Sequence, residues 1–147
     1  MIGLMSIRSK TFISFVVILT IIILDQVSKV FVLNSEVSSV CNTGVAFGIL
    51  PGFPHVLIST GVVFVMSYFF VREERKTKHA ALLLIIGGSL SNILDRLTRG
   101  CVVDFIKVSD FFPAFNLADA VITCGIILLL VSTLFKSEAK NPDILDH

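Results

Sequence analysis

Apolar residues dominate four stretches of the chain, 11–33, 55–71, 79–97 and 116–135, and polar residues gather between them. A bilayer core about 30 Å thick takes about 20 apolar residues to cross as a helix, so each stretch predicts a membrane-spanning helix. The first runs without a charge from Phe12 to Leu24, admits Asp25-Gln26-Val27-Ser28-Lys29, and resumes from Val30 to Leu33. A charge at mid-bilayer costs about 2.5–3.5 kcal/mol even on the lenient insertion scale, which puts Asp25 and Lys29 near one end of the span and facing protein. Their i, i+4 spacing sets them on one helix face, where they either form an ion pair that eases insertion or serve a site.

The connections carry their own patterns. Segment 34–54 is punctuated by Asn42-Thr43-Gly44, Pro51-Gly52 and Pro54, and Val45, Phe47 and Ile49 alternate around Ala46 and Gly48. Period-two alternation between turn residues predicts a short strand or an interfacial loop. The third window carries Gly87-Gly88, small enough for close helix packing, then Asn92, Asp95 and Arg96. Residues 101–108 are rich in β-branched types and predict a surface strand, and Phe111, Phe112 and Phe115 suit an interface. Asn116 is placed to N-cap the last helix with Asp119 at its third position. Residues 137–147 read as a short polar end.

Composition agrees with lipid: 54% of the 147 residues are hydrophobic and 16% charged, against about 25% charged in soluble domains. The four windows use more than half of the chain, which excludes a separate soluble catalytic domain and predicts one integral-membrane unit, 1–147. Net charge is +1, so no nucleic-acid partner is expected. The position of charge says more. Arg8, Lys10, Arg72, Arg75, Lys76, Lys78, Lys136 and Lys140 flank the ends and the second connection, whereas the first connection has no Lys or Arg and the third only Arg99 and Lys107. By the positive-inside rule both termini and the 72–78 loop are cytoplasmic, and 34–54 and 98–115 face outward. Arg8 and Lys10 before an apolar run imitate a signal peptide, but no A-x-A site follows, so an uncleaved first span is expected.

Cys41, Cys101 and Cys124 show no C-x-x-C spacing and no zinc pattern with His55, His79 and His147. A Cys41–Cys101 disulfide would fit the outer face, while small apolar fillers are the plainer reading.

Under that topology Asp25, Lys29, Asn42, Asn92, Asp95, Arg96, Asp104, Asn116 and Asp119 all fall in the outward half. Ionisable groups at membrane depth are functional candidates, and acids converging at one level can share a proton as an acid–base pair. No H-E-x-x-H or G-x-S-x-G occurs, and Ser28 and Lys29 cannot share a helix face. Capping remains the simpler role for Asn116 and Asp119, and Asp95 beside Arg96 reads as a structural pair outside the catalytic set. A proton-coupled transporter would also cluster acids, but the inner halves of the windows lack a polar path. An assembly factor could use the same ring for packing.

Five ordered motifs carry a family resemblance: Asp25-Gln26-Val27-Ser28-Lys29, Asn42-Thr43-Gly44-Val45-Ala46-Phe47-Gly48, Gly88 with Asn92-Ile93-Leu94-Asp95-Arg96, Val102-Val103-Asp104-Phe105, and Phe115-Asn116-Leu117-Ala118-Asp119. Over roughly 12–135 the chain resembles bacterial lipoprotein signal peptidase, signal peptidase II. One departure is Ser91, where the family has Gly before the Asn, a matter of helix packing more than chemistry. The resemblance implies an all-α membrane protein of four transmembrane helices with a small extracytoplasmic β-cradle. It implies an intramembrane aspartic endopeptidase of the bacterial inner membrane that cuts prolipoproteins just before a diacylglyceryl-modified cysteine. Asp104 and Asp119 are then the catalytic pair, and Asp25, Lys29, Asn42, Gly44, Asn92, Arg96, Asn116 and Ala118 the supporting or substrate-binding set. No metal or organic cofactor is implied; the partners are modified prolipoprotein and membrane lipid, and the chain is expected to act as a monomer.

Overall fold

The described residues form four helices, α1 (Ile2–Leu33), α2 (His55–Arg72), α3 (Lys76–Arg99) and α4 (Leu117–Ala139), and two three-residue strands, β1 (Val40–Asn42) after α1 and β2 (Val102–Asp104) after α3. The structure is a computed structural model and describes residues 2–44 and 55–139. The alternation at 45–49, the Pro-Gly turn at 51–54 and residues 140–147 lie outside the described residues. Three helices outrun their apolar windows: α1 begins at Ile2, α3 at Lys76, and α4 continues to Ala139, through residues read above as a polar end. Hydropathy marks only the part of a helix that suits lipid, while backbone hydrogen bonding continues through good helix formers such as Lys76 and Lys78.

Helix α3 is central, packing most extensively on α4 and also on α1 and α2. Its buried positions include Ala81, Leu82, Ile85, Ile86, Gly88, Ser91, Asn92 and Asp95. A Cβ at Gly88 would sit 2.7 Å from the Ala118 carbonyl oxygen and 2.7 Å from Ile122 Cγ1, so only glycine allows this approach of α3 to α4. Ala118 is itself fully buried.

The distribution of polarity is the reverse of a soluble domain. Phe12, Phe31, Phe64, Val71 and Phe135 are each more than two-thirds exposed, whereas Asp25, Lys29, Asp95 and Asn116 are 0% exposed. An apolar exterior this continuous needs an apolar solvent. Among the described residues three helices are long and apolar enough to cross a membrane, over Thr11–Leu33, Lys76–Arg99 and Leu117–Phe135, and Val56–Arg72 is a shorter apolar helix.

At the C-terminal end of α3, Gly100 adopts φ 79° and its N–H donates to the Arg96 carbonyl at 3.2 Å. This left-handed cap, which favours glycine, turns the chain directly into β2. There β1 and β2 pair antiparallel, with Val40 opposite Asp104, Cys41 opposite Val103 and Asn42 opposite Val102. An Ile106–Phe115 bridge closes the segment between β2 and α4. This register brings Cys41 to Cys101, and the two form a disulfide with Cα atoms 5.5 Å apart. They are a crosslink rather than apolar fillers, and Cys124 is free and exposed.

Candidate active site

Two carboxylates on different elements meet through one asparagine. Asp104 ends β2, and Asp119 lies in the first turn of α4. Asn116 precedes α4 and accepts from the Asp119 N–H at 2.9 Å, while Asp119 Oδ2 accepts from the Asn116 N–H at 3.3 Å. This reciprocal capping satisfies two amides that the helix start would leave unpaired. The same Asn116 extends its Nδ2 to Asp104 Oδ1 at 2.7 Å. Capping and site construction are therefore one arrangement.

Each carboxylate takes a second amide donor. Asn42 Nδ2 donates to Asp104 Oδ2 at 2.9 Å, and Asn92 Nδ2 donates to Asp119 Oδ1 at 2.8 Å. Both acids, with Asn42, Asn92 and Arg96, line a cavity of about 280 Å³ whose other wall includes Ile58, Val62, Ile122 and Ile126. Burial pushes the Asp104 carboxyl above the ordinary carboxylate range; hydrogen bonds from Asn42 and Asn116 oppose this, and the nearby Asp119 charge adds to it. A carboxyl held this way keeps a proton to higher pH than one in water.

Beneath the cavity lies a buried ionic cluster. Lys29 Nζ contacts Asp25 Oδ2 at 2.6 Å, Asp95 Oδ2 at 2.8 Å and Asn92 Oδ1 at 3.0 Å. Through Asn92 the Lys29 ammonium is thus linked to Asp119. Asp25 also accepts the Ala118 N–H at 2.9 Å, joining α1 to the start of α4, and the Ser91 hydroxyl at 2.6 Å. Asp95 accepts from Gln26, Arg99 and the Val103 N–H of β2. The sequence reads Asp95 and Arg96 as a structural pair, but the ion-pair partner of Asp95 on α3 is Arg99. Adjacent residues on a helix point about 100° apart, whereas Arg99 stands one turn on, over the same face. Arg96 instead donates to the Gly44 carbonyl at 3.1 Å and the Asn92 carbonyl at 3.3 Å. Gly44 in turn gives its N–H to Asn42 Oδ1 at 2.9 Å.

All ten site residues expected from the sequence, Asp25, Lys29, Asn42, Gly44, Asn92, Arg96, Asp104, Asn116, Ala118 and Asp119, therefore belong to one connected network. Gln26, Ser91 and Arg99 also belong to it, beyond the ten that the sequence indicates. Ser91, the departure in the third motif, is fully buried and bonded on both sides, to Asp25 and to Gln26. The i, i+4 spacing of Asp95 and Arg99 was the one available signal. Among the described residues no group of three or more His, Cys, Asp or Glu is placed to hold a metal ion.

A family profile described as "Signal peptidase (SPase) II" matches residues 17–135. A lipoprotein signal peptidase of Anaplasma phagocytophilum (strain HZ) is 31% identical, covering 90% of this chain and 98% of that protein. One of Staphylococcus carnosus (strain TM300) is 37% identical over 91% of this chain and 99% of that protein. A bacterial membrane enzyme solved by the in meso method at 2.3 Å superposes with a TM-score of 0.77 and 28% identity, over 92% of this chain and 94% of that one. These likenesses and the apolar helices make the chain a multi-pass membrane protein.

Proposed function

The chain belongs to the signal peptidase II family, and from that premise we propose that it is an intramembrane aspartic endopeptidase that removes the signal peptide from prolipoproteins, cutting just before a diacylglyceryl-modified cysteine. Asp104 and Asp119 are the reacting pair. The observation that carries this reading is their convergence from β2 and α4 on one cavity, each with two amide donors and with Asn116 joined to both. Two carboxyls that line one cavity, with the charge of one raising the other, favour a shared proton. The ionised one takes a proton from water as its oxygen attacks the scissile carbonyl carbon. The protonated one donates to the carbonyl oxygen. Collapse of the tetrahedral intermediate breaks the C–N bond: the Asp that took the water proton passes it to the leaving α-amine of the lipid-bearing cysteine, and the diol returns a proton to the other Asp, so the pair again holds one proton. Amide donors keep both carboxylates oriented throughout, which is the geometric requirement of acid–base catalysis.

The dyad lies at the end of the bundle where α1 and α3 finish and α4 begins. The basic residues, eight against two, support a cytoplasmic location for the opposite end and both termini. The Cys41–Cys101 disulfide at the dyad's end suits an oxidising extracytoplasmic compartment. The site then faces outward from the bacterial inner membrane, where a lipid-anchored substrate arrives by lateral partition. Each buried methylene of its acyl chains adds about 0.8 kcal/mol. The test is cleavage by the purified chain of a prolipoprotein with and without diacylglyceryl on its cysteine. Cleavage of the modified form alone is expected, and equal turnover of both forms in one detergent would remove the lipid requirement.

A further inference from the structure

We propose that the Cys41–Cys101 disulfide positions Asn42 on Asp104, so that turnover depends on the redox state of this cysteine pair. The inference rests on Asp104 being half of the reacting pair. It starts from the unequal anchoring of the two strands. All three residues of β2 are buried, the Val103 N–H donates to Asp95 of α3 at 3.3 Å, and β2 packs on α3. Strand β1 packs principally on β2. Val40, Cys41 and the seven residues before them, 33–39, are all exposed. A two-stranded pairing of three residues is too short to be stable alone.

Yet β1 supplies one of the two amides that hold Asp104, through Asn42 Nδ2 at 2.9 Å. The other, from Asn116, sits on the start of a long helix and needs no further support. The crosslink falls where support is missing. Cys41 immediately precedes Asn42, and Cys101 lies between the Gly100 cap of α3 and the first residue of β2. The covalent bond thus ties the weakly held donor to the element that carries its acceptor. Among the described residues, a further tie is the Arg96 bond to the Gly44 carbonyl at 3.1 Å.

Reduction by an added dithiol is a two-electron exchange. The S–S bond between Cys41 and Cys101 breaks, both take up a proton as thiols, and the reagent's two thiols lose those protons and electrons to become its own disulfide. Strand β1 then keeps three backbone pairings and the Arg96 contact, and Asn42 spends less time on Asp104. Newly inserted, unoxidised enzyme would accordingly be slow until the pair has closed.

The test uses the full chain carrying Cys124→Ser, so that Cys41 and Cys101 are its only thiols, purified in detergent and assayed on diacylglyceryl-modified prolipoprotein before and after dithiothreitol. Mass-detected alkylation should add two groups only after reduction. Reduction should lower kcat about tenfold, as expected for loss of one hydrogen bond to a charged group, with KM nearly unchanged. In an Asn42→Ala background kcat should already be low and reduction should change it by less than about twofold. A crosslink that merely stabilises the fold would instead act equally in both backgrounds. Equal kcat in the two redox forms, an undiminished effect in Asn42→Ala, or alkylation of both cysteines before reduction overturns the proposal. Failure of the oxidised enzyme to cut any substrate would sink the peptidase reading instead. The 13C resonance of the Asp104 carboxyl then decides the positioning role, which a shift on reduction supports and an unchanged resonance overturns.

Discussion

Asp95→Asn preserves shape but should be costly, because all four groups facing Asp95 are donors. Oδ1 receives Gln26 Nε2 at 2.9 Å and Arg99, and Oδ2 receives Lys29 Nζ at 2.8 Å and the Val103 N–H at 3.3 Å. An asparagine must turn its own NH2 toward one of these pairs, donor against donor. Charge compounds the effect, since Asp25, Lys29, Asp95 and Arg99 sum to zero and the variant leaves one excess positive charge beside a fully buried lysine. Removing one partner of a buried pair costs about 3–5 kcal/mol. The lower end applies here, because Lys29 keeps Asp25 at 2.6 Å and the Arg99 side chain is 25% exposed. At about 2–4 °C per kcal/mol for a chain of this size, the thermal midpoint should fall by about 10 °C. The folded fraction should also turn over more slowly, since the Val103 contact sets the strand that carries Asp104. Differential scanning fluorimetry in detergent micelles, with turnover measured well below the midpoint, reads both quantities. A midpoint within about 2 °C of wild type would refute the argument that this cluster is a single charge-balanced unit.

Gly88→Ala should lower both midpoint and turnover, because the new methyl meets the Ala118 carbonyl at 2.7 Å and displaces the turn that carries Asp119; overpacking of this kind costs about 1–3 kcal/mol. Gly61→Ala, with nothing within 4 Å, should leave both unchanged in the same assay. Ser91→Ala removes the 2.6 Å bond to Asp25 and should cost about 1.5–3 kcal/mol, seen as a lower melting temperature, which an unchanged melt would contradict. The raised Asp104 carboxyl means that the folded state holds its proton to higher pH than the unfolded chain. Asp104's own contribution to stability is therefore fullest below the unfolded carboxylate pKa of about 4 and is lost as pH rises through the higher folded value. Asp104→Asn lacks that slope, so its melting temperature relative to wild type should rise from about pH 4 toward neutrality, and a margin that shrinks over that range would contradict the cause given.

The helices were legible because a span needs a long apolar run, and the acids because charges are costly within one. The asparagines that serve Asp104 and Asp119 were legible through ordered motifs. What escaped was contact between residues far apart in the chain. Gln26 and Ser91 are ordinary helix residues until the rotation of α1 and α3 sets them against each other and against Asp25 and Asp95. Asp95 was matched to its neighbour Arg96 when its true helical partner is Arg99. The Cys41–Cys101 disulfide is one of two readings open in the sequence, and the register of β1 on β2, in which Cys41 stands opposite Val103, decides it.

The most direct measurement of the central claim is turnover of modified prolipoprotein by Asp104→Asn, Asp119→Asn and the double variant, each shown to be folded and inserted. Two carboxyls that exchange one proton act as a unit. Either single change should therefore reduce kcat by about three orders of magnitude or more, and the double change should cost little beyond either one. If Asp119 served only as a first-turn charge, its replacement would cost only about 0.3–1 kcal/mol of stability, with catalysis intact. Single variants that turn over near the wild-type rate would contradict the assignment of this pair.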